Sequence, residues 1–357
     1  MTRYDDILAV LSDRRFSNDP TKQSNVNAAA AAGLPDDVAP YFVHTFGFYD
    51  PPDHTRLRKL VTREFTPRRV RDLRPRIQQI TDELLDGIAG ADEVDLIERF
   101  ALPLPLQVIC ELLGVPADRR QQWHDWARAL TAPDLEQVAA GARGLVNHLS
   151  DLIAAKQTAP DDDLLSALVR TQEADGDRLS TEELISISLS ILIGGHETTV
   201  SLIGNGTLLL LSHPQMLGHL RADLDRMPAA VEELLRLGGP ADIGVLRYTV
   251  EPVEIGGVTI PAGEPVQVLY AAGNRDPRRF DDPHQLTPDR TANAHLAFGH
   301  GIHYCLGAAL ARAEGDIAFR SLLSRFPDLT LGAPANELTW QPGIARSLRA
   351  LPVRPAG

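Results

Sequence analysis

The chain reads as mainly α-helical with small β-sheets, and three observations predict that class. From Pro51 onwards apolar residues recur at helical spacing, with proline and Ser/Thr start signals between the runs. After Gly238 the pattern changes to short apolar runs split by Gly256-Gly257 and Pro261-Ala262-Gly263, the mark of brief strands. No stretch has the composition of an interdomain linker, and 357 residues are enough to enclose one large core, so residues 1–357 read as a single domain.

In chain order, the segment between Phe16 and Asp50 reads as irregular, with an alanine run from Ala28 to Ala32 followed by Gly33, Pro35 and Pro40. Pro51 and Pro52 suit a first helical turn, and that helix runs through Arg63. Thr66 and Pro67 open the next, to about Ile88, with Val70, Leu73, Ile77, Ile80, Leu84 and Leu85 at apolar spacing. Further helices are expected over 104–113, 117–130, 135–155 and 162–171. Ser180 and Glu183 form a capping box that opens the longest apolar stretch, 184–211. That stretch is long enough to span a bilayer, but His196, Glu197 and Asn205 interrupt it, so it reads as a buried core helix carrying a functional site. Strands are expected at 245–250, 253–255, 258–260 and 265–269, then a Pro- and Asp-rich meander over 274–293. A helix over 308–319 and a terminal hairpin near Pro342-Gly343 complete the chain.

The net charge of −13 argues against a nucleic-acid partner. Two cysteines, Cys110 and Cys305, imply no disulfide framework and fit a reducing cytoplasm. The N-terminus has no basic segment followed by an apolar run, so neither a signal peptide nor a membrane partner is expected. Cys110 lies in an apolar helical run and reads as core.

Cys305 is different. It sits in Phe298-Gly299-His300-Gly301-Ile302-His303-Tyr304-Cys305-Leu306-Gly307, just before a helix. Glycines let the backbone approach a flat ligand, and a helix N-terminus favours a thiolate, so this cysteine can ligate a metal. A structural cysteine in a glycine-rich turn is the plainer alternative. In the long apolar helix, Gly194-Gly195-His196-Glu197-Thr198-Thr199 places an acid and a hydroxyl after a glycine pair that permits a kink. There a Thr198 hydroxyl can hold a water and Glu197 can relay protons, or the segment is simply a helix break with Glu197 in a salt bridge. Glu233 and Arg236 are spaced to share a helix face, which alone suggests a solvated ion pair. His54 and Arg58 are likewise spaced four apart on one face.

Taken together these motifs resemble the cytochrome P-450 family over essentially the whole chain. F-G-x-G-x-H-x-C-x-G matches that family's heme-ligand loop at every fixed position. Gly194 to Thr199 is similar to its oxygen-activation motif, with Gly194 where alanine is commoner, and Glu233-x-x-Arg236 matches its E-x-x-R motif. The resemblance implies a cytochrome P-450 fold holding heme b, with its iron axially ligated by Cys305. It implies that Glu197 and Thr198 are catalytic, and that His54, Arg58, Arg247 and His303 bind the heme propionates. It also implies a structural Glu233–Arg236–Arg290 network. The expected reaction inserts one oxygen atom of O2, by hydroxylation or epoxidation. The substrate is expected between the central helix and segments 16–50, 238–246 and 343–347.

Residues 50–60 and 348–353 look like the polyketide- and macrolide-tailoring branch of the soluble bacterial type, which implies a bulky apolar secondary metabolite. Asp242 falls in a segment that approaches substrate in the family, and a solvent-facing turn is its alternative. The strongly basic stretch 54–76 carries Arg56, Arg58, Lys59, Arg63, Arg68, Arg69, Arg71, Arg74 and Arg76 against Glu64 and Asp72. An acidic ferredoxin can be steered there, fed by a ferredoxin reductase from NADPH or NADH. The expected state is a cytoplasmic monomer. The family usually has a helix and a strand before the segment matching Thr2 to Asp6, so either the start is misassigned or that edge of the sheet is missing. Two other readings are a non-catalytic heme-binding docking or sensing protein and a peroxide-driven oxidase. An acid–alcohol pair disfavours both, since neither needs a proton relay.

Overall fold

The computed structural model describes all residues except 23–33, 44, 131, 133, 175–177, 288, 342–344 and 356–357. The helices are α1 (Tyr4–Ser12), α2 (Ala39–Val43), α3 (Asp53–Glu64), α4 (Pro67–Asp86), α5 (Pro103–Leu113), α6 (Arg120–Ala129) and α7 (Leu135–Thr158). They continue with α8 (Leu164–Ala174), α9 (Thr181–Ser212), α10 (Pro214–Ala222), α11 (Met227–Gly238), α12 (Tyr270–Gly273) and α13 (Ala308–Arg325). The strands are β1 (Phe16–Ser17), β2 (Val94–Asp95), β3 (Arg247–Thr249), β4 (Val253–Ile255), β5 (Val258–Ile260), β6 (Pro265–Val266), β7 (Thr330–Leu331) and β8 (Pro352–Arg354).

The helix signals act as their chemistry requires. Thr66 accepts the Arg69 N–H at the start of α4, and Val70, Ile77, Ile80 and Leu85 turn inward. At the start of α9, Ser180 accepts the Glu183 N–H while the Glu183 carboxylate accepts the Ser180 N–H. α9 runs unbroken through Gly194-Gly195, so the glycine pair does not end or break the helix. It is long and apolar enough to cross a membrane, yet 67 % of its apolar stretch is buried within the fold. Its neighbours include α5, α7, α11 and α13. The Asn205 side-chain NH2 donates to the carbonyls of Gly238 and Arg346, which explains one polar interruption of this helix.

Three small antiparallel sheets flank the helices, ordered β1-β3-β6, β2-β8-β7 and β4-β5. The first pairs Phe16 with Thr249 and Arg247 with Val266, which fixes the register of the strand bearing Arg247. Segment 16–50 is less irregular than expected, since it contributes β1 and α2. Its alanine run lies outside the described residues. So does the turn at Pro342-Gly343, although Trp340 pairs with Leu348 across it.

Candidate active site

Cys305 lies between a 3-10 turn (Gly301–His303) and α13, and its N–H donates to the Phe298 carbonyl at 2.9 Å. Gly301 has φ +73°, and a Cβ there would lie 2.5 Å from the Leu11 carbonyl oxygen, so this turn requires glycine. The thiol is exposed to a cavity yet sits deep in the protein. Burial pushes its pKa up, opposed by the N–H groups of Gly307 and Ala308 and by Arg58 and Arg312. Cys110, by contrast, is sealed in the main core, and burial drives its thiol to about 12.

The cavity encloses about 1380 Å³ of atom-free space, counting its mouth. Cys305, Leu306 and Leu310 line it on one side, and Gly194, Gly195, Thr198 and Thr199 from α9 line it on another. Asn18, Phe46 and Gly47 from segment 16–50 and Pro240, Ala241 and Val245 from segment 238–246 complete the lining that was expected there. Asp242 is not part of that lining; its carbonyl accepts the Ala271 N–H. Of segment 343–347, residues 343 and 344 lie outside the described residues, and the rest do not line the cavity.

One wall gathers positive charge. Arg58, Arg247 and His303 line the cavity, and the His54 ring lies 4.2 Å from that of His303. Arg58 donates to the Tyr304 carbonyl at 2.7 Å. Arg247 Nε and both ring nitrogens of His54 are buried without a hydrogen-bond partner. Burial depresses the pKa of His54, Arg58 and Arg247, and burial with the neighbouring cations takes His303 down to about 3. Buried donors left unpaired are costly, so this wall is built for an anion.

Opposite, the Thr198 hydroxyl donates to the Gly194 carbonyl at 2.5 Å and faces the cavity, so it is not left free by a kink. Nothing lies within 4 Å of where a Gly194 side chain would begin, whereas one at Gly195 would meet Ile109 at 2.6 Å. Gly195 therefore permits close packing of α9 on α5, and Gly194 leaves open room. Glu197 is half-buried beside the cavity rather than lining it, and burial raises its pKa. His196 faces the other way, towards His124, and burial lowers its pKa to about 4.

The E-x-x-R pair is wholly buried and not the surface bridge that spacing alone suggests. Arg236 makes two bonds to the Glu233 carboxylate, at 2.8 and 2.7 Å, and Arg290 reaches it at 3.2 Å. Thr287 N–H and Asn293 also donate to Glu233, while Arg236 binds the carbonyls of Asn274, Pro283 and Gln285. The network thereby fixes the meander leading to the cysteine loop. One group escaped sequence reasoning: Glu314 on α13, fully buried and lining the cavity. Nothing in its spacing distinguishes it from a surface glutamate.

A thiol facing open space, unpaired buried donors along one wall and a glycine-walled roof fit heme, a flat dianion with one iron and two free faces. The Cytochrome P-450 family profile matches residues 144–341. The chain is 48 % identical to 6-deoxyerythronolide B hydroxylase of Saccharopolyspora erythraea, aligned over 99 % of this chain and 89 % of that protein. It is 40 % identical to mycinamicin IV hydroxylase/epoxidase of Micromonospora griseorubida, over 99 % and 88 %. Among solved structures, the bacillaene polyketide synthase cytochrome P-450 PksS of Bacillus subtilis superposes with a TM-score of 0.92 at 37 % identity, covering 100 % of this chain and 90 % of its own. The chain belongs to the cytochrome P-450 family. It is a heme-dependent monooxygenase, taking a small-molecule substrate and electrons from a redox partner.

Proposed function

We propose that this monooxygenase hydroxylates or epoxidises a bulky, mostly apolar secondary metabolite, a macrolide or other polyketide, and that Cys305 would hold the iron of heme b. The carrying observation is the open room beside Gly194 and Thr198, across the cavity from Cys305. The hydroxylase and hydroxylase/epoxidase relatives named above support the substrate class. Thiolate-ligated heme supplies oxygen activation, because the sulfur's electron density favours O–O cleavage. The chain's residues do the rest. His54, Arg58, Arg247 and His303 anchor the propionates, Arg by planar carboxylate recognition. Thr198 holds a water at the roof, and Glu197 passes protons towards it. Electrons come from NADPH or NADH through a ferredoxin reductase and a ferredoxin docking on the exposed part of the basic 54–76 stretch. The enzyme works as a single-domain monomer in the cytoplasm.

The test is an optical titration of the heme-loaded protein with macrolides, terpenes and fatty acids. A substrate-type high-spin shift with macrolides, followed by an oxygenated product when ferredoxin, reductase and NADPH are added, is expected. Shifts with fatty acids or terpenes alone would defeat the polyketide assignment.

A further inference from the structure

Arg312 stands on α13, seven residues past Cys305. On one side α11 grips it: Nε and Nη2 donate to the two carboxylate oxygens of Glu232 at 2.7 and 2.8 Å. Such a fork fixes a guanidinium in orientation as well as in place. On its other side lies the cysteine loop. The Arg312 Cζ is 4.5 Å from the centre of the Phe298 ring, and Nη1 donates to the Tyr304 hydroxyl at 3.3 Å. A guanidinium over an aromatic face is attracted by the ring. The carbonyl of the same Phe298 accepts the Cys305 N–H.

Glu232 is itself held. His295 Nε2 lies 3.1 Å from its Oε2, and the Ala297 N–H donates to His295 Nδ1 at 3.2 Å. Because Nδ1 accepts, Nε2 carries the ring proton and donates to Glu232. Arg312 and Glu232 are 37 % and 26 % exposed, so the pair is screened less than a surface bridge. It forms a dipole with its positive end on the cysteine loop and its negative end on α11. Arg312 and Arg58 are the cations whose charge acts on the Cys305 sulfur. Arg58 lines the cavity and is assigned to the propionates, whereas Arg312 is not part of that lining.

We propose that Arg312, oriented by Glu232 and His295, is a positioning residue that sets how readily the iron held at Cys305 accepts an electron. The inference rests on the reading of Cys305 as the iron ligand. A fixed cation beside the thiolate favours the state that has gained negative charge, and Glu232 behind it limits that effect. The two partners of one ion pair therefore act on the potential with opposite signs.

Spectroelectrochemical titration of the heme-loaded protein without substrate tests this. Arg312→Gln should move the one-electron equilibrium roughly tenfold towards the oxidised form, about 59 mV. Glu232→Gln should move it the other way, and the double variant should lie near the wild type. Arg312→Lys keeps the charge without the fork and should stay closer to the wild type than Arg312→Gln does. A clamp that only stiffens the loop would shift both single variants alike, so equal signs or unmoved potentials would overturn the proposal. Should Arg312→Gln fail to retain heme, the direction of the shift in Glu232→Gln decides alone. The reduced carbonyl complex separates the two readings. A wild type without the thiolate Soret band would remove the ligand assignment and this inference with it. The band with unmoved potentials would remove this inference alone.

Discussion

At the scale of single residues, Cys305 and its cations make the sharpest claims. Cys305→Ser should abolish the red-shifted Soret band that thiolate ligation gives the reduced carbonyl complex. Arg247→Ala should lower heme retention on dilution, because its buried Nε has no partner in the protein. His196 carries a pH prediction. Burial holds its pKa near 4 against the ordinary 6.5, so the native state stays neutral where the unfolded chain takes up a proton. Its contribution to stability is therefore present above about pH 6.5 and lost as pH falls towards 4, and His196→Gln should flatten that limb of a denaturant-stability profile. The proposed heme cradle was legible because loop glycines, a cysteine and i,i+4 spacing are local patterns, while Arg247 came only with the family resemblance. Glu314 was not, because its meaning lies in what surrounds it: an unpaired acid is recognised only once burial and the absence of a cation are seen.

At the scale of elements, α9 divides its labour by face. Thr198→Ala should still consume NADPH but divert electrons to peroxide, measured as peroxide formed per NADPH, since the roof loses its water-holding hydroxyl. Gly194→Leu should fold, because no protein atom lies within 4 Å of the added Cβ, yet the side chain enters the cavity and should lower heme loading or weaken substrate shifts, read from the Soret band. Removing one partner of the Glu233–Arg236 pair strands a buried charge at a cost of about 3–5 kcal/mol. Glu233→Ala should therefore yield unfolded or heme-poor protein, read from the Soret-to-protein absorbance ratio. Most helices announced themselves through caps and periodicity, as Thr66 and Ser180 show. The two-residue strands did not. Phe16 finds Thr249 and Val94 finds Val353, and a dipeptide holds no alternation from which pairing so distant can be read.

At the scale of the whole molecule, the basic stretch is less available than its composition suggests. Arg56 is paired with Glu183, Arg74 with Asp316 and Arg76 with Glu111, while Arg58 turns to the cavity. Lys59 and Arg71 remain exposed, and Arg68 is exposed beside Asp72 at 3.7 Å. Lys59→Glu or Arg71→Glu should slow ferredoxin reduction of the heme in stopped-flow, and the difference should shrink at high salt as exposed charges are screened. The braces of the cysteine loop come from both ends of the chain. Tyr4 N–H donates to Asp276, the Tyr4 hydroxyl to the Ala294 carbonyl, and the Leu11 carbonyl presses on Gly301. On the ribosome, α1 therefore emerges long before its partners, which lie more than 270 residues downstream. The cradle therefore closes late, once the cysteine loop itself has been made.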